Sequence, residues 1–207
     1  MIYFISKHLC LLFFKIWFGL EARNLDRLPA KGGYLVVLNH ASNLDPPILG
    51  MLTRRIPSYL AKSELFHNKL FAWWASHVGV MPINRDSVDR KALTRAINVL
   101  KNDEVMALFP EGTRTPDGNL QPGKPGVAMI AAQVNKPCLA AYIQGSFEAW
   151  PRGQKWPRRH KIILWMGHPF ELPARDGMGA KEYYQACTDL FMEKIAEVKK
   201  EAEENTR

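Results

Sequence analysis

The chain has 207 residues, of which 47% are hydrophobic, enough for one sizeable domain with a real core, and it contains no internal repeat or low-complexity tract. A formal net charge of +8 favours an anionic partner: nucleic acid, a phosphate-bearing substrate or an anionic membrane surface. The three cysteines, Cys10, Cys138 and Cys187, are odd in number and widely separated, which excludes a disulfide framework or a zinc-site spacing and indicates a reducing, cytosolic setting.

Residues 1–22 are predicted to form an amphipathic N-terminal helix ahead of a domain in residues 23–207. A 20-residue helix is about 30 Å long and could just cross a bilayer. Lys7, His8 and Lys15 interrupt the apolar residues and fall on one side of the helix. Because charges near the bilayer centre are costly, the pattern favours a helix in the membrane interface, with a single span or packing on the domain as alternatives.

The following elements alternate in type along the chain. The predicted strands cover residues 35–38, 58–61, 105–109, 138–143 and 161–166, and the predicted helices cover residues 46–52, 65–77, 87–101, 127–134 and 183–204. Ser87 is the expected N-cap of its helix, and the aromatic residues of 65–77 indicate core or an acyl-chain groove. This order predicts a single α/β domain with a mostly parallel central sheet and helices on both faces.

The first strand ends at Asn39 and His40, and Asp45 then precedes two prolines as the expected N-cap of a short helix. An imidazole held by a carboxylate is a general base for a hydroxyl. A capping pair in a loop and a metal site are alternatives to this interpretation. No second His or Cys ligand stands nearby at metal spacing, so no metal is expected.

Two further segments carry polar residues at the ends of apolar runs. Arg85 follows the run that begins at Gly79, and Glu111, Gly112, Thr113 and Arg114 follow the strand 105–109. In an open α/β sheet, such side chains meet at the carboxyl edge of the strands. A later loop interleaves basic residues with tryptophans, which is typical of a solvated surface or a headgroup layer: Trp150, Arg152, Lys155, Trp156, Arg158, Arg159 and Lys161.

These segments together resemble the glycerolipid acyltransferase family, whose best-known members are the 1-acylglycerol-3-phosphate (lysophosphatidate) acyltransferases. Three family motifs match in order: Asn39, His40 and Asp45; residues 79–85; and Phe-Pro-Glu-Gly-Thr-Arg at residues 109–114. The fourth motif keeps its first proline as Pro137, whereas Ala140 stands where the second is expected. The resemblance covers roughly residues 20–170.

The resemblance implies an enzyme that moves a fatty acyl group from acyl-CoA or acyl-ACP to the free hydroxyl of 1-acylglycerol-3-phosphate, giving phosphatidic acid in phospholipid biosynthesis. His40 would be the general base, oriented by Asp45, and no Ser or Cys stands in a nucleophile elbow, so transfer would be direct. The remaining roles are phosphate binding by Arg85, Arg114 and Lys62, and substrate or oxyanion binding by Glu111, Gly112 and Thr113, with Asn39 completing its motif. Glu111 would contact an acceptor hydroxyl or brace Arg114. No cofactor is expected beyond the thioester co-substrate.

Other functions fit parts of the same pattern. A different lysophospholipid or glycerol-phosphate acceptor would use the same site, and a thioesterase would replace the alcohol with water. A non-catalytic basic lipid-binding module would need only the charge. No helix-turn-helix, zinc-finger or RNA-binding aromatic pattern supports nucleic acid as the partner. The expected location is therefore the cytoplasmic face of a membrane, with acyl carrier protein as a possible protein partner.

Overall fold

A seven-stranded sheet forms the centre of a computed structural model that describes residues 2–84 and 89–206. The strands are β1 (Glu21–Arg23), β2 (Tyr34–Leu38), β3 (Pro57–Lys62), β4 (Val80–Ile83), β5 (Val105–Leu108), β6 (Cys138–Gln144) and β7 (Ile163–Phe170). The helices are α1 (Ile2–Phe18), α2 (Asp45–Leu52), α3 (Lys69–His77), α4 (Arg90–Lys101), α5 (Gly126–Ala131), α6 (Ser146–Ala149) and α7 (Ala180–Glu204).

The strands lie in the order β1-β7-β6-β2-β5-β3-β4, and neighbours run parallel except for β6 and β7. The predicted mostly parallel sheet is therefore confirmed. Parallel strands need crossover connections, and the intervening helices supply them. All carboxyl ends of β2, β3, β4, β5 and β6 consequently face the same edge of the sheet.

Helices cover both faces because side chains alternate along the buried central strands. On β2, Val36 belongs to a core shared with α1 and α2, whereas Leu35 and Val37 belong to a core shared with α4, α5 and α7. Every residue of β2 is buried. The continuous apolar run of this strand thus reflects two buried faces.

Two strands that the sequence did not predict lie at the edges of the sheet. β1 pairs with β7 at one edge and β4 pairs with β3 at the other. β1 has three residues, two of them charged, and β4 contains Pro82. Short strands with charges or proline are common at sheet edges, where one side of the backbone needs no partner.

The predicted helix 65–77 is divided in two, and its aromatic residues are not part of the core. A 3-10 turn at Ser63–His67 precedes α3. Trp73 is 53% exposed and Trp74 36% exposed, whereas Ala75 is the buried residue of α3. Interpreting this aromatic density as core is therefore wrong for those two residues, because the helix lies beside an open cavity at the edge of the sheet.

The starts of two helices differ from expectation. α2 begins at Asp45 itself, with Leu44 as its N-cap, so the Asp45 carboxylate does not cap the helix. α4 begins at Arg90, where Asp89 is the N-cap and accepts the Ala92 amide at 2.9 Å. Ser87, the expected cap, lies outside the described residues, as does Arg85.

The expected N-terminal helix is present as α1, and one side of it packs on the domain. Phe14 and Phe18 are buried in the core, the Tyr3 hydroxyl donates to the Gly50 carbonyl, and the Lys7 ammonium donates to the Thr53 carbonyl. Lys7 therefore contacts the end of α2 and is not part of a free basic stripe. Within the described residues, no helix is both long enough and apolar enough to cross a membrane.

Candidate active site

Asn39 extends the pairing of β2 by one residue and so determines where the chain leaves the sheet. Its side-chain oxygen accepts the Ile143 amide at 2.7 Å, and its amide nitrogen donates to the Ile143 carbonyl at 3.1 Å. The side chain thus imitates a strand backbone against β6. His40 follows at a fixed position on the carboxyl edge.

His40 and Asp45 are paired as the sequence predicted. Nδ1 of His40 lies 2.9 Å from Oδ2 of Asp45. The same oxygen accepts the Ala41 and Ser42 amides, each at 2.7 Å, and Asp45 is fully buried. A carboxylate is an acceptor, so the neutral imidazole carries its proton on Nδ1 and keeps a lone pair on Nε2. Within the described residues, Nε2 has no hydrogen-bond partner, and His40 lines the main cavity.

The ring of His40 is also held from the β5 side. It stacks on Phe109 with ring centroids 4.0 Å apart. The His40 amide donates to Oε1 of Glu111 at 2.7 Å, and the His40 carbonyl accepts the Thr115 amide at 2.8 Å. The loop after β5 therefore fixes the backbone of His40 on both sides.

Glu111 is 1% exposed and joins two loops, because its second oxygen accepts the Gln121 amide at 3.0 Å. Burial raises the pKa of this carboxyl to about 7, although both backbone donors oppose the shift. No hydrogen bond or ion pair joins it to Arg114 among the residues described. Glu111 therefore contacts the backbone of His40 and of Gln121 through its two carboxylate oxygens.

A cavity of about 850 Å³ lies at this edge of the sheet. Five of the predicted site residues line it: His40, Lys62, Gly112, Thr113 and Arg114. Burial, and then the positive charge of Arg152, lower the pKa of Arg114. Lys62 forms an ion pair with Glu64 at 2.5 Å, and this contact lowers the pKa of Glu64 to about 2.

Gly112 adopts a left-handed conformation, with φ of +70°, which favours glycine. Its amide donates to the Phe109 carbonyl at 3.0 Å and so closes the turn. Among the described residues, the Thr113 amide has no such acceptor. The Thr113 amide is thus not used to close this turn.

The same cavity also has an apolar lining, which comes from α2, β3, the 3-10 turn Ser63–His67, α3 and β4. Its apolar lining residues are Met51, Tyr59, Leu60, Leu65, Phe71, Trp74, Val78 and Val80. Phe71 and Trp74 come from the aromatic segment for which the sequence left an acyl-chain groove open. One cavity therefore offers cations, the imidazole and an apolar compartment.

Two basic residues that line the cavity, Lys124 and Arg152, were missed by the sequence reasoning. Lys124 lies beside Gly112, where its Cδ would be 3.0 Å from an added Cβ, and its amide donates to the Pro110 carbonyl at 2.8 Å. Arg152 comes from the loop after α6, which was interpreted as surface or headgroup layer. Neither belongs to a local pattern, and only the basic composition of the loop around Arg152 gave a signal.

No three His, Cys, Asp or Glu side chains of the described residues are grouped as metal ligands would be. The chemistry of the site is that of an imidazole base, a carboxylate that orients it and nearby cations. Such a set can deprotonate a hydroxyl next to a bound phosphate group.

The chain is similar in sequence and in fold to known acyltransferases. A family model described as Acyltransferase matches residues 19–144. The 1-acyl-sn-glycerol-3-phosphate acyltransferase of Bacillus subtilis is 29% identical over 182 residues, which are 87% of this chain and 88% of that protein. The human 1-acyl-sn-glycerol-3-phosphate acyltransferase alpha is 34% identical over 156 residues, and the match spans 68% of this chain but only 51% of the human protein.

A solved structure agrees with these relatives. The 1-acyl-sn-glycerophosphate (LPA) acyltransferase PlsC of Thermotoga maritima superposes with a TM-score of 0.70 and 27% sequence identity. The match covers 87% of this chain and 72% of that one. The α/β architecture described above is therefore shared with this solved structure.

Proposed function

Because the chain belongs to the Acyltransferase family, we propose that it transfers a fatty acyl group from an acyl thioester, acyl-CoA or acyl-ACP, to the free hydroxyl of 1-acylglycerol-3-phosphate. The product would be phosphatidic acid. The observation that carries this proposal is the His40–Asp45 pair on the wall of a cavity that also holds Arg114 and an apolar compartment. The relatives from Bacillus subtilis and human, both named as 1-acyl-sn-glycerol-3-phosphate acyltransferases, support the same acceptor.

In the proposed mechanism, Nε2 of His40 takes the proton of the acceptor hydroxyl as its oxygen attacks the thioester carbonyl. The carbon–sulfur bond then breaks, and the departing thiolate receives the proton from the imidazolium. Asp45 keeps Nδ1–H in place and stabilises the imidazolium while it exists. The Thr113 amide would donate to the oxyanion. The thioester is a co-substrate, so this scheme needs no cofactor.

Arg114 and Lys62 are proposed to bind the acceptor phosphate, as both line the cavity that contains His40. A guanidinium can hold two phosphate oxygens in one plane. Arg85 keeps this role as a prediction, since it lies outside the described residues. Glu111 is proposed to act on the His40 backbone, because both of its oxygens accept backbone amides.

We propose that the protein associates with a membrane, on its cytoplasmic face, and the two sides of α1 support the membrane contact. Tyr3, Ser6, Lys7 and Cys10 line the cavity. The outward side is apolar and exposed, and its residues are Phe4, Ile5, Leu9, Leu12, Phe13, Ile16 and Trp17. A helix of this kind lies in the interface plane with its apolar side among the acyl chains. A lipid acceptor could then pass from the membrane into the cavity beside α1.

A panel of donors and acceptors tests the function. Purified protein in detergent is given acyl-CoA or acyl-ACP with 1-acylglycerol-3-phosphate, another lysophospholipid, glycerol 3-phosphate or water. Transfer to 1-acylglycerol-3-phosphate is expected. Transfer only to another acceptor would assign a different lysophospholipid substrate, and lipid binding without any transfer would favour a non-catalytic module.

His40→Ala tests the general base. The variant should lose about 10²- to 10⁴-fold in kcat, the usual contribution of a positioned acid-base group. His160→Ala is a matched control because His160 is exposed and does not line the cavity. A folded His40→Ala protein with nearly normal kcat would contradict the mechanism.

A further inference from the structure

Arg152 lines the cavity that contains His40, but it comes from a part of the chain that none of the family motifs covers. It lines the cavity together with His40, Arg114 and Lys124. It follows α6 in the connection to β7, whereas Arg114 follows β5. Two guanidinium groups from separate loops therefore line the cavity that contains this imidazole.

The loop that carries Arg152 is attached to the loop that carries His40. The Ser42 hydroxyl donates to the Trp150 carbonyl at 2.8 Å, and the Trp150 side chain packs against the core. The Gln154 amide donates to the Pro151 carbonyl at 3.3 Å, and the Gln154 carbonyl accepts the indole N–H of Trp150 at 2.8 Å. Arg152 thus stands in a closed turn, held at both ends, although its side chain is exposed.

The positively charged side chains that line the cavity favour an anionic ligand. Among residues 2–84 and 89–206, no carboxylate forms an ion pair with Arg114 or Arg152. The buried Asp45 carboxylate is bonded to His40. Two like charges near each other disfavour one another, and the positive charge of Arg152 acts on Arg114. A ligand group with two negative charges would balance both.

A phosphate monoester carries a charge of about −1.5 to −2 at neutral pH, whereas a phosphodiester carries only about −1. We propose that Arg152 completes a two-guanidinium clamp with Arg114, and that this clamp selects an acceptor with a terminal phosphate monoester over lysophospholipids with a diester headgroup. The proposal rests on the proposed function, in which Arg114 binds the acceptor phosphate. Lys124 also lines this cavity, beside Gly112, and adds positive charge to it.

The test measures equilibrium binding and turnover in the full chain. Binding of 1-acylglycerol-3-phosphate and of its phosphoglycerol diester is followed below their micellar concentrations, without donor, by isothermal titration calorimetry. Arg152→Ala should weaken monoester binding about tenfold, the lower end for a charge-assisted hydrogen bond at an exposed residue. Diester binding should change less than about threefold. In turnover, acceptor KM should rise by a similar factor, with donor KM and kcat nearly unchanged.

Arg159→Ala is the matched control, because it removes the same charge from the same loop at an exposed residue outside the cavity lining. It should leave both bindings within about twofold. Arg152→Lys, which keeps the charge and loses the planar fork, should restore only part of the affinity.

Equal losses for monoester and diester, equal effects of Arg152→Ala and Arg159→Ala, or a rise in donor KM alone would each overturn the clamp. A wild-type protein that binds the monoester through Arg152 but transfers no acyl group would instead contradict the proposed function. The binding measurement therefore tests the clamp, and the turnover measurement tests the proposed function, so that the failure of one can be told from the failure of the other.

Discussion

Replacing Asp45 by asparagine separates the charge of this residue from its geometry. The asparagine oxygen can still accept the Ala41 and Ser42 amides and Nδ1 of His40, which Oδ2 of Asp45 accepts in the wild type. Its NH2 group would then occupy the place of Oδ1, a buried atom without a partner among the described residues. The variant should fold, with a loss of about 1–3 kcal/mol in the free energy of unfolding for the unpaired amide.

The loss in rate follows from the missing charge. Two unit charges about 4 Å apart attract by about 4 kcal/mol at an effective dielectric constant of about 20. That attraction stabilises the imidazolium, which exists only after His40 has taken the proton. Losing it should lower kcat by about 10³-fold, at about 1.4 kcal/mol per factor of ten, with little change in the KM of either substrate.

The assay compares kcat for the wild type, Asp45→Asn and Asp45→Ala, with thermal unfolding as the check on folding. Asp189→Asn is the control, since Asp189 is exposed on α7 and bonds only Gln185 there among the described residues. If Asp45→Asn retained more than a tenth of wild-type kcat while Asp45→Ala lost activity, Asp45 would act by position alone, and the charge argument would be refuted.

Two further outcomes are expected. Glu111 has a pKa of about 7 against an ordinary value of 4.5, so between these pH values the folded state holds a proton that the unfolded chain releases. The contribution of Glu111 to the free energy of unfolding should therefore be full below pH 4.5 and should fall by about 3 kcal/mol as pH rises to about 7. Urea unfolding across this range should show a flatter profile for Glu111→Gln, and identical profiles would contradict the assignment. On α1, the double variant Leu9→Asn with Ile16→Asn should reduce binding to vesicles at least tenfold, because each substitution removes an exposed apolar side chain from the membrane contact. Ile56→Asn, at an exposed residue outside α1, should not reduce it. Vesicle sedimentation measures both, and equal binding would exclude the outward side of α1 as the membrane contact.

The sequence determined the class of the fold because local patterns report burial directly. The apolar runs at 35–38 and 105–108 could be recognised as strands, since strands buried on both faces have no polar alternation. Edge strands lack that signal: β1 is short and charged and β4 is short and contains Pro82, and both became visible only through their pairing with β7 and β3.

The sequence also determined the family and the His40–Asp45 pair, because a spacing of five residues lets both side chains meet within one loop. Contacts between distant segments were decided only by the tertiary structure. Glu111 is 71 positions from His40 and Asn39 is 104 positions from Ile143, and no local pattern states which backbone groups such side chains will accept or donate to. The same reason explains Arg152: its loop looks like a charged surface in sequence, and contacts such as the hydrogen bond from Ser42 to Trp150 are visible only in the tertiary structure.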